Sequence, residues 1–414
     1  MIDKDKIELL APAGDYEKLV IAVLYGADAV YIGGEEYGLR AKAKNFDIET
    51  MKKGIDFAHS HGVKVYVTAN IYAHNDDFNG MAEYFKKIYS IGADALLVSD
   101  LGVFSVAKEA VPDMEIHIST QANNTNYMSA KMWYSLGARR IVSARELSLN
   151  EIKDIRENIP SDMDIEAFVH GAMCISYSGR CLLSSYLTGR DANHGECAHP
   201  CRWKYYVVEE TRPGEYMPVV ENERGTYIYN SKDLCMINYI PELVSAGIRS
   251  FKIEGRMKTP FYVGTVVKAY RQAIDDYLSC PDKYNERKQN NYYINEVSKA
   301  SHRDYTTGFY FGKPTSQDQV YTNNSYIREY DFVGIIDEDS GDDGYAVVMQ
   351  RNKFETGDVV EVFPAKGESF KMEVGQIINE DGIAVESAPH PKELLKIKFS
   401  RPVHKYDMIR KEIK

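Results

Sequence analysis

Four of the six cysteines fall between positions 174 and 201, spaced Cys174-x6-Cys181-x15-Cys197-x3-Cys201. Thiolates bind soft metals, and several close together in sequence can enclose one site. Structural zinc is usually held by paired knuckles with two to four intervening residues, a spacing that only Cys197 and Cys201 meet. The wider first gap suits an iron–sulfur cluster better. Zinc and inert or disulfide-bonded thiols stay as alternatives. Cys235 lies between Leu234 and Met236 at the expected start of a helix and reads as a small apolar filler. Cys280 ends a helix far from the others.

Strand alternation supplies a second set of chemically capable residues, because positions i and i+2 share a face. On one strand Lys252 and Glu254 point inward; on others Glu166, Phe168 and His170 do, or His117, Ser119 and Gln121, or Tyr66, Thr68 and Asn70. Glu166 and Lys252 read as a buried ion pair. Asn70, Gln121, His170, Glu254 and Arg256 fall at strand ends, where function concentrates in a barrel. Basic residues converge on the same end: Arg40, Lys42, Lys44, Arg145, Arg180 and Arg256. Arginine forks bind carboxylates and phosphates bidentately, so this rim fits a small polycarboxylate or the phosphates of a nucleic acid. Arg145 and Arg256 are the candidate carboxylate grips. Asn70, Gln121 and Arg180 are further substrate contacts, and His170 and Glu254 are the candidate proton-handling groups.

These residues need a scaffold, and the chain repeats one. Tyr25-Gly26-Ala27-Asp28 precedes Ala29 to Ile32, and Ile91-Gly92-Ala93-Asp94 precedes Ala95 to Val98. His61-Gly62-Val63, Leu136-Gly137-Ala138 and Ala246-Gly247-Ile248 introduce apolar runs in the same way. Glycine closes a helix in the left-handed conformation and the chain enters a buried strand. With Leu9 to Ala11, Ile116 to Ser119 and Ile165 to His170, this predicts eight strands alternating with helices. Such alternation implies parallel strands with helices outside, and their number implies a closed (β/α)8 TIM-like barrel. An open doubly wound sheet is the alternative. The barrel is expected over residues 1–280, with a cysteine-bearing insertion at 171–232 after the seventh strand. A polar connecting segment is expected at 281–328 and a small β-barrel at 329–414, from short alternating runs such as Phe332 to Ile336 and Leu395 to Phe399. That tail has no His/Cys/Asp constellation and reads as a binding or docking module.

Composition narrows the partners. Of 414 residues, 44% are hydrophobic and 27% charged, ordinary for a chain with a substantial core. Fifty Lys+Arg against 61 Asp+Glu give a net charge of −11, so a nucleic acid must be held by a local patch. Residues Met1 to Lys6 alternate in charge without an apolar run, which argues against a secretory signal and predicts a cytoplasmic protein. No run approaches the ~18 apolar residues of a membrane span. Neither H-E-x-x-H nor G-x-S-x-G is present, so neither common hydrolase signature supports proteolysis.

Several motifs together resemble one family. Glu166-Ala-Phe-Val-His-Gly-Ala-Met-Cys174, continuing through Cys181 to Ser184, is similar to the signature of the collagenase-like peptidase U-32 family. Glu8-Leu-Leu-Ala-Pro-Ala-Gly14, Gly195-Glu-Cys197-Ala-His-Pro-Cys201-Arg-Trp203 and Phe251-Lys-Ile-Glu-Gly-Arg256 match in the same order. Arg212-Pro-Gly-Glu-Tyr-Met217 and Gly225 to Leu234 resemble its tRNA hydroxylation branch. The resemblance implies prephenate-dependent, oxygen-independent hydroxylation of the tRNA wobble uridine to 5-hydroxyuridine. It also implies a 4Fe-4S cluster on Cys174, Cys181, Cys197 and Cys201. Expected partners are tRNA, the small organic acid prephenate and a family member as candidate second subunit, with no membrane. Rim arginines, the tail and the aromatic rings of Tyr177, Tyr186 and Trp203 are the available RNA contacts. A collagenase-like protease and a non-enzymatic iron–sulfur RNA-binding or scaffold protein are the competing readings.

Overall fold

A computed structural model of the chain describes residues 7–38, 45–173, 183–188, 190, 198, 206–207, 217–218, 230–314, 319–320 and 326–413. The first seven strands are β1 (Glu8–Pro12), β2 (Ala29–Gly33), β3 (Lys64–Ala69), β4 (Ala95–Val98), β5 (Glu115–Ile118), β6 (Arg140–Val142) and β7 (Asp164–Ala172). Each pairs in parallel with the next. After a short β8 (Asp233–Cys235), β9 (Ser250–Ile253) pairs in parallel with both β7 and β1 and closes an eight-stranded barrel. The open-sheet alternative is thereby excluded.

Helices α1 (Tyr16–Leu24), α2 (Ile48–Ser60), α3 (Met81–Ser90), α4 (Leu101–Ala110), α5 (Tyr127–Ser135), α6 (Leu149–Asn158), α7 (Ile240–Ser245) and α8 (Pro260–Ser279) surround it. Their starts are fixed by side-chain caps: Asp15, Asp47, Asp100, Asn126, Ser148 and Thr259 each accept from a first-turn backbone N–H. Their ends follow the glycine pattern, as at Gly26 (φ +108°) and Gly92 (φ +94°). Leu9, Val30, Val67, Leu96, Ile118, Ile141 and Phe251 are fully buried against the helix layer.

Two local expectations need correction. Cys235 is the last residue of strand β8, antiparallel to the end of β7, and not a helix start. Within the segment expected to connect barrel and tail, α9 (Pro281–Gln289) and α10 (Tyr292–Ser298) form and dock on α8 through fully buried Tyr284 and Tyr293. Beyond it, β10 (Tyr305–Thr306) pairs in parallel with β8. The second correction concerns His170.

The tail is a curled antiparallel sheet. Its strands are β11 (Tyr330–Glu338), β12 (Tyr345–Gln350), β13 (Val359–Phe363), β14 (Phe370–Glu373), β15 (Ile377–Ile378), β16 (Ala384–Val385), β17 (Leu394–Lys398) and β18 (Met408–Glu412). They are ordered β14-β13-β18-β11-β12-β17-β15-β16 around a core of Val348, Val362, Ile377 and Val403. It is bolted to the barrel. Tyr25 donates from its hydroxyl to the Phe363 and Tyr406 carbonyls, and Lys268 donates to the Gly367 carbonyl. Arg410, fully buried, is paired with Glu361 at 2.8 Å and with Glu296 of α10 at 3.2 Å.

Candidate active site

Charged and polar side chains gather at the floor and at the rim of the barrel lumen. At the floor, Glu8 accepts hydrogen bonds from both terminal nitrogens of Arg140, from the Tyr66 hydroxyl at 2.6 Å and from the Ser250 hydroxyl at 2.8 Å. Glu166, with no exposed surface, accepts from Lys252 Nζ at 2.6 Å and from Arg140 and Ser250 at 3.2 Å each. Burial alone would raise the Glu8 carboxyl, but the charge and hydrogen bonds of Arg140, with those of Tyr66 and Ser250, hold it at about 2. For Glu166 the same contest against burial is won by Lys252 and Arg140, which keep its carboxyl below the ordinary range. Two carboxylates thus balance two cations. An unbalanced charge at this depth would be strongly destabilising. His117, which hydrogen-bonds Glu115 at 3.0 Å, is pushed toward its neutral form by burial and by Arg140. Lys252 also sits 4.5 Å over the Tyr31 ring.

The rim holds two further groups. Arg145, just past β6, donates to Glu254 Oε2 and to the Ala172 carbonyl, each at 3.3 Å, with its guanidinium stacked 3.8 Å above the Phe168 ring. Arg256 is buried and donates to the Thr68 hydroxyl at 3.2 Å. Across the mouth, Asn70 Nδ2 donates to Ser119 Oγ at 3.2 Å and to Gln121 Oε1 at 3.1 Å. The expected rim residues Asn70, Gln121, Arg145, Glu254 and Arg256 all belong to these strand ends. The arrangement offers guanidinium and amide groups for an anionic, carbonyl-bearing ligand, with one carboxylate already hydrogen-bonded at its edge.

His170 does not join them. The β7–β9 register shifts between Lys252 and Ile253, so that Ile253 pairs with His170 rather than with the residue before it. This irregularity breaks the alternation and turns His170 away from the face of Glu166 and Phe168. Its ring packs against Tyr262 and Tyr270 of α8 and against Tyr305. Burial first, then the neighbouring charges of Lys258 and His302, lower its pKa to about 3. It is therefore a neutral imidazole set among tyrosines. The next residue makes the bend possible: Gly171 has φ +107°, and a Cβ there would lie 2.6 Å from the Glu254 carbonyl oxygen.

Cys174, Cys181, Cys197, Cys201, Arg180, Arg40, Lys42, Lys44, Tyr177 and Trp203 lie outside the described residues, as does the side chain of Tyr186. Near them, the Ala198 N–H donates to Ser184 Oγ at 3.0 Å, which joins the segment following Cys181 to the residue following Cys197. Among the described residues no group of three or more His, Cys, Asp or Glu could hold a metal. Of the two described cysteines, Cys280 is exposed and Cys235 is buried with its thiol pushed up to about 12 by that burial. Neither competes as a metal ligand.

Two floor residues escape the sequence reading. Glu8 is visible there only as part of an opening motif, and Arg140 is hidden in the three-residue strand β6 behind Arg139. Period two applied to β6 would have placed Arg140 and Val142 on one face, so a signal was present but short.

The family model described as Peptidase family U32 matches residues 14–320, and that described as Peptidase family U32 C-terminal domain matches residues 328–410. The chain is 40% identical over 406 residues to tRNA hydroxylation protein P1 of Bacillus subtilis, covering 98% of this chain and 95% of that protein. It is 37% identical to tRNA hydroxylation protein P of Escherichia coli, covering 93% and 92%. It is also 35% identical to a 23S rRNA 5-hydroxycytidine synthase of Escherichia coli, over 74% of this chain and 46% of that one. Among the described residues, no helix is long and apolar enough to cross a membrane.

Proposed function

The chain belongs to peptidase family U32, and we propose that it is an RNA-modifying enzyme that hydroxylates uridine in tRNA. The observation that carries this reading is the similarity to tRNA hydroxylation proteins along nearly the whole chain, barrel and tail together. The similarity to an rRNA hydroxycytidine synthase over 74% of the chain supports the reaction class. The finer proposal is conversion of the wobble uridine to 5-hydroxyuridine, dependent on prephenate and independent of oxygen.

Cys174, Cys181, Cys197 and Cys201 would hold a 4Fe-4S cluster. Four soft donors on two segments joined at Ser184 and Ala198 suit such a group. When bound, it would supply one-electron redox chemistry. The rest of the work falls to this chain's own side chains. Arg145 and Arg256 would orient the carboxylates of the small acid, each held in place by a fixed contact, to Phe168 and to Thr68 respectively. Glu254, already hydrogen-bonded to Arg145, would hold or release a proton at its Oε2. The Glu8–Arg140–Glu166–Lys252 layer closes the lumen beneath the reactants and keeps bulk water from entering below. His170, neutral and turned toward α8, is placed outside this set.

The test is reconstitution without air. Protein purified and assayed under argon is combined with unmodified tRNA, with or without prephenate. Formation of 5-hydroxyuridine only when prephenate is present is expected. Cleavage of a protein substrate by metal-free material, with no change in the RNA, would replace this reading with proteolysis.

A further inference from the structure

We infer that Gln121 is the residue that selects uracil over cytosine, by presenting a fixed amide donor to the base's C4 carbonyl. This inference rests on the proposed RNA hydroxylation and specifies how its site recognises the base.

Gln121 lies in the turn of Thr120–Ala122 that follows β5 at the mouth. Both ends of it are tied down. Its backbone carbonyl accepts from the Tyr72 hydroxyl at 2.8 Å and from Asn123 Nδ2 at 2.9 Å. Its side-chain oxygen accepts from Ser119 Oγ at 2.5 Å and from Asn70 Nδ2 at 3.1 Å. Asn70 is itself buried, with Ser99 Oγ donating to its backbone carbonyl at 3.0 Å. A separation of 2.5 Å suits an O–H···O contact and is too short for a hydroxyl and an amide nitrogen. The oxygen of Gln121 therefore faces Ser119 and Asn70, and its NH2 is the group left over.

Among the described residues that NH2 has no hydrogen-bond partner, while the Asn70 amide nitrogen, the Ser119 hydroxyl and the Gln121 side-chain oxygen are bonded to one another. Gln121 stands at the mouth and is only partly buried. An amide whose orientation cannot reverse reads one polarity. Uracil offers a carbonyl oxygen at C4, adjacent to the carbon that is hydroxylated; cytosine offers an amino group there. The donor of Gln121 pairs with the first and faces the second donor to donor. A site built on a hydrogen bond rejects the mismatched group far more strongly than an apolar pocket does.

Replacement by glutamate isolates this property. In Gln121→Glu the inner oxygen still accepts from Ser119 and Asn70, and only the outer group changes from donor to acceptor. The experiment expresses wild-type or variant chain in a strain lacking it, together with reporter tRNAs carrying either uridine or cytidine at the modified position. Hydroxylated nucleosides are then quantified in each reporter. Wild-type chain is expected to modify the uridine reporter alone. Gln121→Glu is expected to shift the uridine-to-cytidine product ratio toward cytidine by about ten-fold or more. Gln121→Met, which keeps length and has no donor, should lower the uridine product without raising the cytidine product. A ratio unchanged in Gln121→Glu, or equal losses on both reporters, would overturn the assignment while leaving RNA hydroxylation standing. No hydroxylated product from wild-type chain on either reporter would instead overturn the parent reading and this inference with it.

Discussion

Arg145 and Glu254 meet at 3.3 Å across the mouth of the barrel, one following the sixth strand and the other following the strand that closes the cylinder. Their side chains are 11% and 15% exposed, so the pair is reachable by a small ligand yet largely shielded from water. A guanidinium held by stacking on Phe168 retains its orientation when Glu254 exchanges partners.

Removing that guanidinium should stop the reaction. Arg145→Ala and Arg256→Ala are each expected to lower tRNA hydroxylation at least ~100-fold, while iron and sulfide content per chain stay at the wild-type level. Arg145→Lys should recover little, because a point charge does not reproduce a fork. Mass spectrometry of tRNA nucleosides, alongside metal analysis of the same preparations, reads both quantities.

The floor of the lumen should behave as a charge-balanced unit. Glu166→Gln leaves Lys252 and Arg140 with too little negative charge, and about 3–5 kcal/mol of stability should be lost. Adding Lys252→Met to Glu166→Gln should restore part of that loss. Denaturant unfolding of the single and double variants gives the coupling directly; additive losses would argue against a shared network.

His170 makes stability depend on pH. Its folded pKa is about 3, below the ordinary 6.5, so the unfolded chain binds the extra proton between those values. Stability tied to this group is complete above about pH 6.5 and falls as pH drops toward 3, with a slope of roughly 1.4 kcal/mol per pH unit. Glu8, with its folded carboxyl at about 2, acts in a lower window: its contribution is present above the unfolded value near 4.5 and is lost as pH falls through about 2. Replacing His170 by Phe should flatten the stability profile between pH 6.5 and 3 relative to wild type. Unfolding midpoints measured across that range check the sign.

Gly171→Ala tests the bend that separates His170 from the lumen. With φ at +107° and the Glu254 carbonyl in the way, the added methyl should cost of order 1–3 kcal/mol and displace Glu254. Hydroxylation is expected to fall more than the loss of folded protein explains, as judged by comparing activity per folded molecule.

How much of this could be read beforehand depends on pattern length. The barrel was legible because helix, glycine and apolar strand recur, and Ala29 to Ile32, Lys64 to Ala69 and Ala95 to Val98 fall on observed strands. Glu166 and Lys252 were legible because alternation holds through that part of β7 and β9. The same rule misplaced His170, since a register shift is a tertiary event that leaves no mark in periodicity. Arg140 sits in a strand of three residues, too few to display a period. Helices α9 and α10 hid behind polar composition, their burial carried by single tyrosines, Tyr284 and Tyr293, that pack 5.4 Å apart.

The account rests on RNA hydroxylation by this chain, and the nucleosides of cellular tRNA report it most directly. In a strain deleted for the protein, 5-hydroxyuridine and its derivatives should disappear from tRNA and return on expression of the wild-type chain, but not of Cys174→Ser. Unchanged tRNA modification in the deletion strain would contradict it.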